Sequence, residues 1–302
     1  MTATIPMDRV LFGDNQFFGV NHMSEEKARA QAIRFQENGA IQNVLDAAYD
    51  EGITTFMCTT HDRIAQVAEH YRANPERYAD QKFFPCMPYA HKYANAMTED
   101  GPIGAVRRFL PEGGILDAAL RSGRSLAKKD IVGVTTLLID AEMKMFEGLS
   151  TPVIFLQNVV VDLLLGMGFL DAFNIFADHV RTRYHAEPGF ITMNTPMLLT
   201  ALDKAGLENP LVCSNINKAG FRMSGGLPAY QRALAERPFR AVAMSVFASG
   251  AIPPREALEW VCAQPNIEAI VFGASTREHI ASTRRLVAEY WPEPSLHTER
   301  EA

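Results

Sequence analysis

The stretch "IEAIVFGASTREHI" at 267–280 passes from an apolar strand pattern directly into a helix pattern. Its apolar run is short and ends in a Gly-Ala-Ser turn, as expected for a strand buried on both faces of a parallel sheet. Apolar residues then follow on one helical face at Ile280, Leu286 and Val287. A strand followed at once by a helix is the repeating unit of α/β folds.

Seven further segments share this short apolar strand pattern. They lie at 9–13, 54–59, 82–87, 152–158, 189–194, 210–215 and 239–246. Helix patterns separate them, and one begins at Ser24, which stands before acidic residues as an N-cap does. Eight strand–helix repeats in one chain predict a (β/α)8 TIM barrel, with an open doubly wound sheet as the rival.

The connection between the third and fourth strands, at 95–151, is longer than the others and contains helix patterns. We expect an elaborated connection that covers the barrel mouth or builds a subunit interface. The segment 152–170 is apolar, but polar groups such as Asn158 and Asp162 are costly in lipid, so a strand running into a helix is expected there. No composition break marks a second domain, which predicts one barrel over 1–291 and a loose tail over 292–302.

Composition limits the classes of function. The chain carries a net charge of −6 and no basic run, which argues against nucleic-acid binding. Its four cysteines show no metal spacing, and the first ten residues lack the apolar core of a signal peptide. We therefore expect a cytoplasmic protein that acts on a small molecule, without a membrane or nucleic-acid partner; a homo-oligomer is left open.

Several segments resemble the aldo-keto reductase superfamily. "VLFGDNQFFG" at 10–19 resembles the family's first strand, and "VLDAAYDEGITTFMCTTHDR" at 44–63 resembles the helix and strand before its catalytic motif. "AVAMSVFASGAI" at 241–252 and "IEAIVFGASTREHI" resemble its seventh and eighth strands. The resemblance implies a (β/α)8 barrel of aldo-keto reductase type and an NADP-dependent oxidoreductase.

The family's catalytic residues are replaced in this sequence. The family reduces carbonyls with a tyrosine acid supported by lysine, aspartate and histidine. Here Met57 or Cys58 falls at the aspartate, Asp62 near the tyrosine, Met87 at the lysine and Asn158 at the histidine. A phenol with a pKa near 10 needs such neighbours to act near neutral pH. The sequence therefore predicts a remodelled site.

The cofactor segments match the family more closely. The resemblance assigns cofactor binding to one strand-end asparagine, one serine and the last turn. These residues are Asn194, Ser245, Gly273, Ala274, Ser275 and Thr276. A turn of this kind before a helix binds phosphate through backbone N–H groups.

Polar residues follow several strands, at the end of a barrel where active sites lie. The candidate catalytic residues are Asp14, His61, Asp62, Tyr89, His91 and Lys92. The candidate substrate-binding residues are Asn15, Asn158, Asn215 and Asn217. A structural alternative is that Asp62 only caps the next helix, with His61 in its loop.

Three chemistries fit this set. Tyr89 with Lys92 could rebuild a proton-donor pair and preserve hydride transfer. His61, Asp62 and Lys92 could perform redox-neutral acid–base work, as in a lyase or isomerase. Asp14, His61 and His91 resemble a metal set of two histidines and one carboxylate, which would use a divalent metal.

The leading interpretation is an aldo-keto-reductase-like enzyme that acts on a small, polar, sugar-like substrate rich in carbonyl or hydroxyl groups. The redox-neutral enzyme is the first alternative. The second is a catalytically inactive barrel that serves as a binding or assembly protein, with the apolar stretch 131–177 as its interface.

Overall fold

The computed structural model describes residues 5–19, 24–89 and 128–291, and the side chains of all these except 128–135. Eight parallel strands pair in sequence order and close into a barrel, with the first strand also pairing with the last. The predicted (β/α)8 barrel is therefore confirmed. The strands are β1 (Val10–Phe12), β2 (Thr55–Thr59), β3 (Lys82–Met87), β4 (Val153–Leu156), β5 (Glu187–Thr192), β6 (Leu211–Asn215), β7 (Arg240–Met244) and β8 (Ile267–Phe272).

Helices connect these strands, as parallel pairing requires. In the described part of the chain they are α1 (Glu25–Arg34), α2 (Asn38–Asp50), α3 (Asp62–Ala73), α4 (Lys128–Met143), α5 (Asn158–Met167), α6 (Asp171–Tyr184), α7 (Thr195–Lys204), α8 (Leu227–Glu236), α9 (Pro254–Cys262) and α10 (Arg277–Tyr290). Short 3-10 helices lie at Asn15–Phe18, Lys144–Phe146 and Ala248–Gly250. Within this described part, no helix combines the length and the apolar character needed to cross a membrane.

The apolar strand patterns produce two cores, because successive strand residues point to opposite faces. The larger core lies between the strands and the helices. The smaller core fills the barrel and consists of Leu11, Met57, Phe84, Cys86, Val153, Phe155, Ile191, Leu211, Cys213, Val242 and Ala269. Phe155 fits inside only because Gly189 faces it; a Cβ at Gly189 would lie 2.4 Å from the Phe155 ring.

The segment 152–170 forms β4 followed by α5, as predicted. β5 begins two residues earlier than predicted and ends at Thr192, because Asn194 becomes the N-cap of α7. α4 falls in the long connection before β4. The rest of that connection and the tail lie outside the described residues, so both remain predictions.

Candidate active site

A cavity of about 840 Å³ opens at the carboxyl ends of the strands. This is the end at which TIM-barrel enzymes carry their active sites. Its floor is the top layer of inward-facing side chains. These are Met57, Cys86, Ile191, Cys213, Met244 and Val271. The cavity therefore has an apolar, sulfur-rich floor and a rim made by the loops that follow the strands.

Asp14 follows β1 and lines this cavity. Its side chain is buried, and Oδ2 accepts hydrogen bonds from Thr59 N (2.7 Å) and Thr59 Oγ1 (2.6 Å). Burial raises the pKa of Asp14 above its usual value, although both Thr59 hydrogen bonds lower it. The predicted carboxylate thus lies at the mouth and is held by two hydrogen bonds from Thr59.

Tyr89 follows β3 and lines the same cavity. Burial, and then the negative charge of Asp14, raise the pKa of its phenol. Its backbone N–H donates to both carboxylate oxygens of Glu142, at 3.2 and 3.1 Å. Glu142 is buried on α4 and also accepts from Thr60 Oγ1. Sequence reasoning missed Glu142, since only the fold brings α4 beneath the end of β3.

His61 and Asp62 form the start of α3. The N-cap is His61, whose Nδ1 accepts from Arg63 N at 3.1 Å, so the alternative in which Asp62 caps the helix is wrong by one residue. Asp62 is exposed in the first turn. The His61 ring stacks on Phe18 at 4.3 Å and meets Tyr89 edge-on at 5.7 Å between centroids. His61 therefore touches two residues that line the cavity.

His91 and Lys92 lie outside the described residues, so their predicted roles are untested. The metal hypothesis needs His91 as well. Among the described side chains, no group of three or more His, Cys, Asp or Glu is placed to hold a metal ion.

The residues that we predicted at the family's aspartate, lysine and histidine positions occupy different places in the barrel wall. Met57 points inward and lines the cavity, whereas Cys58 and Met87 pack outward against the helices. The inward-facing residue near the end of β3 is Cys86. Asn158 begins α5 and lines the rim.

The remaining predicted substrate-binding asparagines divide in the same way. Asn15 and Asn215 line the cavity, and Asn217 does not. Asn217 is buried, and its side chain binds the backbone N–H and C=O of Phe221 at 2.8 and 3.0 Å.

Five of the six predicted cofactor residues follow β7 or β8, and Asn194 follows β5. Ser245 and Gly273 line the cavity, and Ala274, Ser275 and Thr276 continue from Gly273 to α10. Two of the side chains cap helices. Thr276 Oγ1 accepts from His279 N at 3.3 Å, and Asn194 Oδ1 accepts from Met197 N at 3.3 Å.

No protein-family model and no curated protein matches the sequence. Solved structures do match the fold. A Pseudomonas aeruginosa protein assigned to the aldo-keto reductases superposes with a TM-score of 0.56 at 14% identity, over 93% of this chain and 90% of that one. Aldose reductase from Giardia lamblia gives 0.53 at 11% identity, over 92% and 86%.

The holo form of an aldo-keto reductase from Bacillus halodurans is similar to the same extent. Its TM-score is 0.51 at 11% identity, over 93% of this chain and 89% of that one. The likeness thus extends over nearly the whole of each chain while sequence identity is very low. The chain shares the (β/α)8 barrel fold of the aldo-keto reductases.

Proposed function

We propose that this protein is an oxidoreductase that reduces the carbonyl group of a small substrate in the mouth cavity, with Tyr89 as the proton donor. The observation that carries the proposal is the position of Tyr89 on the cavity wall, where burial, and then the negative charge of Asp14, raise the pKa of its phenol. The phenol is therefore a weaker acid than a free tyrosine. It gives up its proton only to a strongly basic oxygen, such as the alkoxide that forms when a carbonyl is reduced.

The ends of β7 and β8 fit the phosphate groups of a nicotinamide dinucleotide through their backbone. Phe247 (φ −87°, ψ 4°) is followed by Ala248 with φ 47°, a pair that forms an anion-binding nest. Among the described residues, the N–H groups of Phe247 and Ser249 donate no backbone hydrogen bond. The space beside Gly273 is filled by the Gln16 side chain, since a Cβ there would lie 1.9 Å from Gln16 Oε1.

The first turn of α10 adds no cationic side chain to this proposed phosphate site. The Arg277 side chain instead binds Glu51 (2.8 Å) and Asp50 (3.7 Å). The residues that would hold the cofactor are therefore Ser245, the 247–249 nest and the turn at Gly273. We expect NADP(H) to bind there, with modest discrimination against NAD(H).

The chain's own residues supply the acid. The chemistry that bound NADPH would supply is a hydride for the carbonyl carbon. The carbonyl oxygen then develops alkoxide character, and an alkoxide is a stronger base than a phenolate. Tyr89 donates its phenolic proton to that oxygen, and the phenolate is reprotonated from solvent. Glu142 holds the Tyr89 backbone in place by accepting from its N–H.

The substrate we propose is small and polar, with carbonyl or hydroxyl groups. The rim supports this proposal with the amides of Asn15 and Asn158, whereas the Asn215 amide is buried and bonded to the Arg222 carbonyl. An aldose reductase is also among the proteins of similar fold. Because the cavity floor is apolar, the polar groups of such a substrate would lie near the rim.

The redox-neutral alternative has no comparable support in the described residues. Of its three residues, Asp62 is exposed and does not line the cavity, Lys92 lies outside the described residues, and His61 caps α3. The metal-assisted form likewise depends on His91.

Cofactor titration tests the proposal. Purified protein is titrated with NADPH and, separately, with NADH, and the change in cofactor fluorescence is followed. Saturable binding of NADPH in the micromolar range is expected. The reductase proposal fails if neither cofactor binds at high micromolar concentration. Ser249→Asp places a negative charge beside the nest at a left-handed position that aspartate tolerates, so it should weaken binding, whereas Ser224→Asp, outside the cavity lining, should not.

A further inference from the structure

Arg222 is a cation on the rim of the mouth cavity. Other arginines form ion pairs with acidic residues, such as Arg255 with Glu289 at 2.6 Å and Arg240 with Glu268 at 2.8 Å. Among the described residues, no carboxylate lies within ion-pair distance of the Arg222 guanidinium. Its recorded side-chain contact is with the Phe221 ring, 5.7 Å from the centroid.

Two buried asparagines hold the loop that presents Arg222. Both are 1% exposed, so their amides are deep in the protein. Asn215 Nδ2 donates to the Arg222 carbonyl oxygen at 2.9 Å, while Asn217 binds both backbone groups of Phe221. Buried, fully bonded side chains of this kind position a loop rigidly. The Arg222 side chain therefore extends from a backbone that is held in a fixed position.

The backbone at Arg222 is strained as well. Its φ is +54°, a left-handed conformation that side chains other than glycine rarely adopt. Such strain persists only where the surroundings impose it, and it clusters at ligand sites. Here the imposing contacts are those of Asn215 and Asn217. Glycine would adopt this conformation without strain. An arginine at this position therefore indicates a role for its side chain.

We propose that Arg222 binds an anionic group, a carboxylate or phosphate, of the molecule that occupies the cavity. A guanidinium offers two parallel N–H donors that match a carboxylate or phosphate, and such charge-assisted pairs are about twice as strong as neutral hydrogen bonds. Arg222 is thus a specificity-determining residue. The inference rests on the proposed function only in taking this cavity as the ligand site.

The topology gives the anion a defined place. Arg222 follows β6, whereas Asp14 and Tyr89 follow β1 and β3, and in the closed barrel β6 lies across from β2. An anionic group at Arg222 is held away from the Asp14 carboxylate, which would repel it. A carbonyl at the other end of the ligand is then directed towards Tyr89. The substrate class is therefore an acidic carbonyl compound.

The anionic group that Arg222 binds has two possible sources, the substrate and the nicotinamide cofactor, because the cofactor also carries phosphate. Two binding measurements distinguish these sources without requiring turnover. In the first, calorimetry compares pyruvate, 4-oxopentanoate and dihydroxyacetone phosphate with methyl pyruvate, methyl 4-oxopentanoate and dihydroxyacetone. In the second, NADPH is titrated by fluorescence. Each is performed on the wild type, Arg222→Gln, Arg222→Lys and Arg222→Gly.

We expect at least one anionic compound to bind more tightly than its neutral counterpart. Arg222→Gln and Arg222→Gly should weaken that binding roughly 10- to 100-fold and leave the neutral compound unchanged, with Arg222→Lys in between. Arg222→Gly removes the strain at φ +54°, so it keeps a folded protein for the comparison. Arg232→Gln, on the exposed surface of α8, is the matched control and should bind as the wild type does.

Loss of NADPH affinity in Arg222→Gln, with the small anions unaffected, would support the anion site and identify the cofactor as its source. The inference is overturned if neither the anionic compounds nor NADPH lose affinity in this variant. Failure of the proposed function has a different signature, since it shows as absent cofactor binding by the wild type.

Discussion

Charged side chains are paired differently at the two ends of the barrel. At the amino-terminal end of the strands, Arg240 is 3% exposed and is bound by Glu187 and Glu268, and Lys82 binds Asp8 at 3.0 Å. At the carboxyl-terminal end, burial and then the Asp14 charge raise the pKa of the Tyr89 phenol, and Arg222 has no acid partner among the described residues.

This difference separates stability from reactivity. Charges that are paired and buried hold the bottom of the barrel closed, because their removal leaves a partner without compensation. Charged groups at the top are held by neutral groups, such as Thr59, which donates two hydrogen bonds to Asp14. Among the described residues, no ion-pair partner neutralises these charges. We therefore expect substitutions at the top to change activity and those at the bottom to change stability.

Tyr89→Phe gives the largest expected effect. It removes the phenolic proton and should lower kcat for carbonyl reduction by about 10²- to 10⁴-fold, with little change in melting temperature. The control is Tyr78→Phe, which removes a hydroxyl bound to Asp46 at 2.6 Å, away from the cavity lining. Steady-state kinetics and thermal melts measure both. Equal kcat values for Tyr89→Phe and the wild type would remove Tyr89 as the acid.

Arg240→Met tests the other end of the barrel. It leaves Glu187 and Glu268 without their cation and should lower the free energy of unfolding by about 3 kcal/mol, without changing ligand affinity below the melting temperature. Lys218→Met is the matched control, because its pair with Glu256 is about half exposed and should contribute less than about 1 kcal/mol. Chemical denaturation measures both. Similar losses in the two variants would contradict the division between the ends.

Asp14→Asn should change the free energy of unfolding by on the order of 1 kcal/mol, less than Arg240→Met does. Burial raises the pKa of Asp14 above its usual value of 3.8, so the folded state binds this proton more tightly than the unfolded state. The Asp14 contribution to stability is therefore favourable at low pH and is lost as pH rises through the folded pKa.

Asp14→Asn removes this dependence, because an amide does not titrate. The melting temperature of the variant relative to the wild type should rise as pH is raised from about 4 to about 7. Thermal melts across that range measure the difference. A difference that stays constant with pH would contradict an Asp14 pKa raised by burial.

Much of the fold could be predicted from the chain. Short apolar runs such as 82–87 and 210–215 became strands within one residue of their expected bounds. Their apolar character on both faces suits a barrel wall packed inside and out. β5 was displaced because its predicted end, Met193 and Asn194, lies in the turn that starts α7.

The candidate site was only partly predictable. Asp14 and Tyr89 could be identified because they directly follow strands, and strand ends meet at the barrel mouth. Glu142 could not, since it lies far along the chain from the end of β3, and Arg222 was missed because it lies seven residues beyond β6 and not directly after it. Asn217 was predicted to bind substrate, and the structure shows its amide bonded to the backbone of Phe221.

The sequence by itself determined the number and order of the strands and the polar residues that follow them. These depend on local periodicity and on burial, which each segment carries in its own residues. Only the tertiary structure decided that Met57 faces the cavity while Met87 faces the helices. It alone also placed a carboxylate from α4 under Tyr89 and an arginine from the β6 loop across the mouth. Such placements depend on strand register and barrel closure, which bring together residues that are distant in the chain.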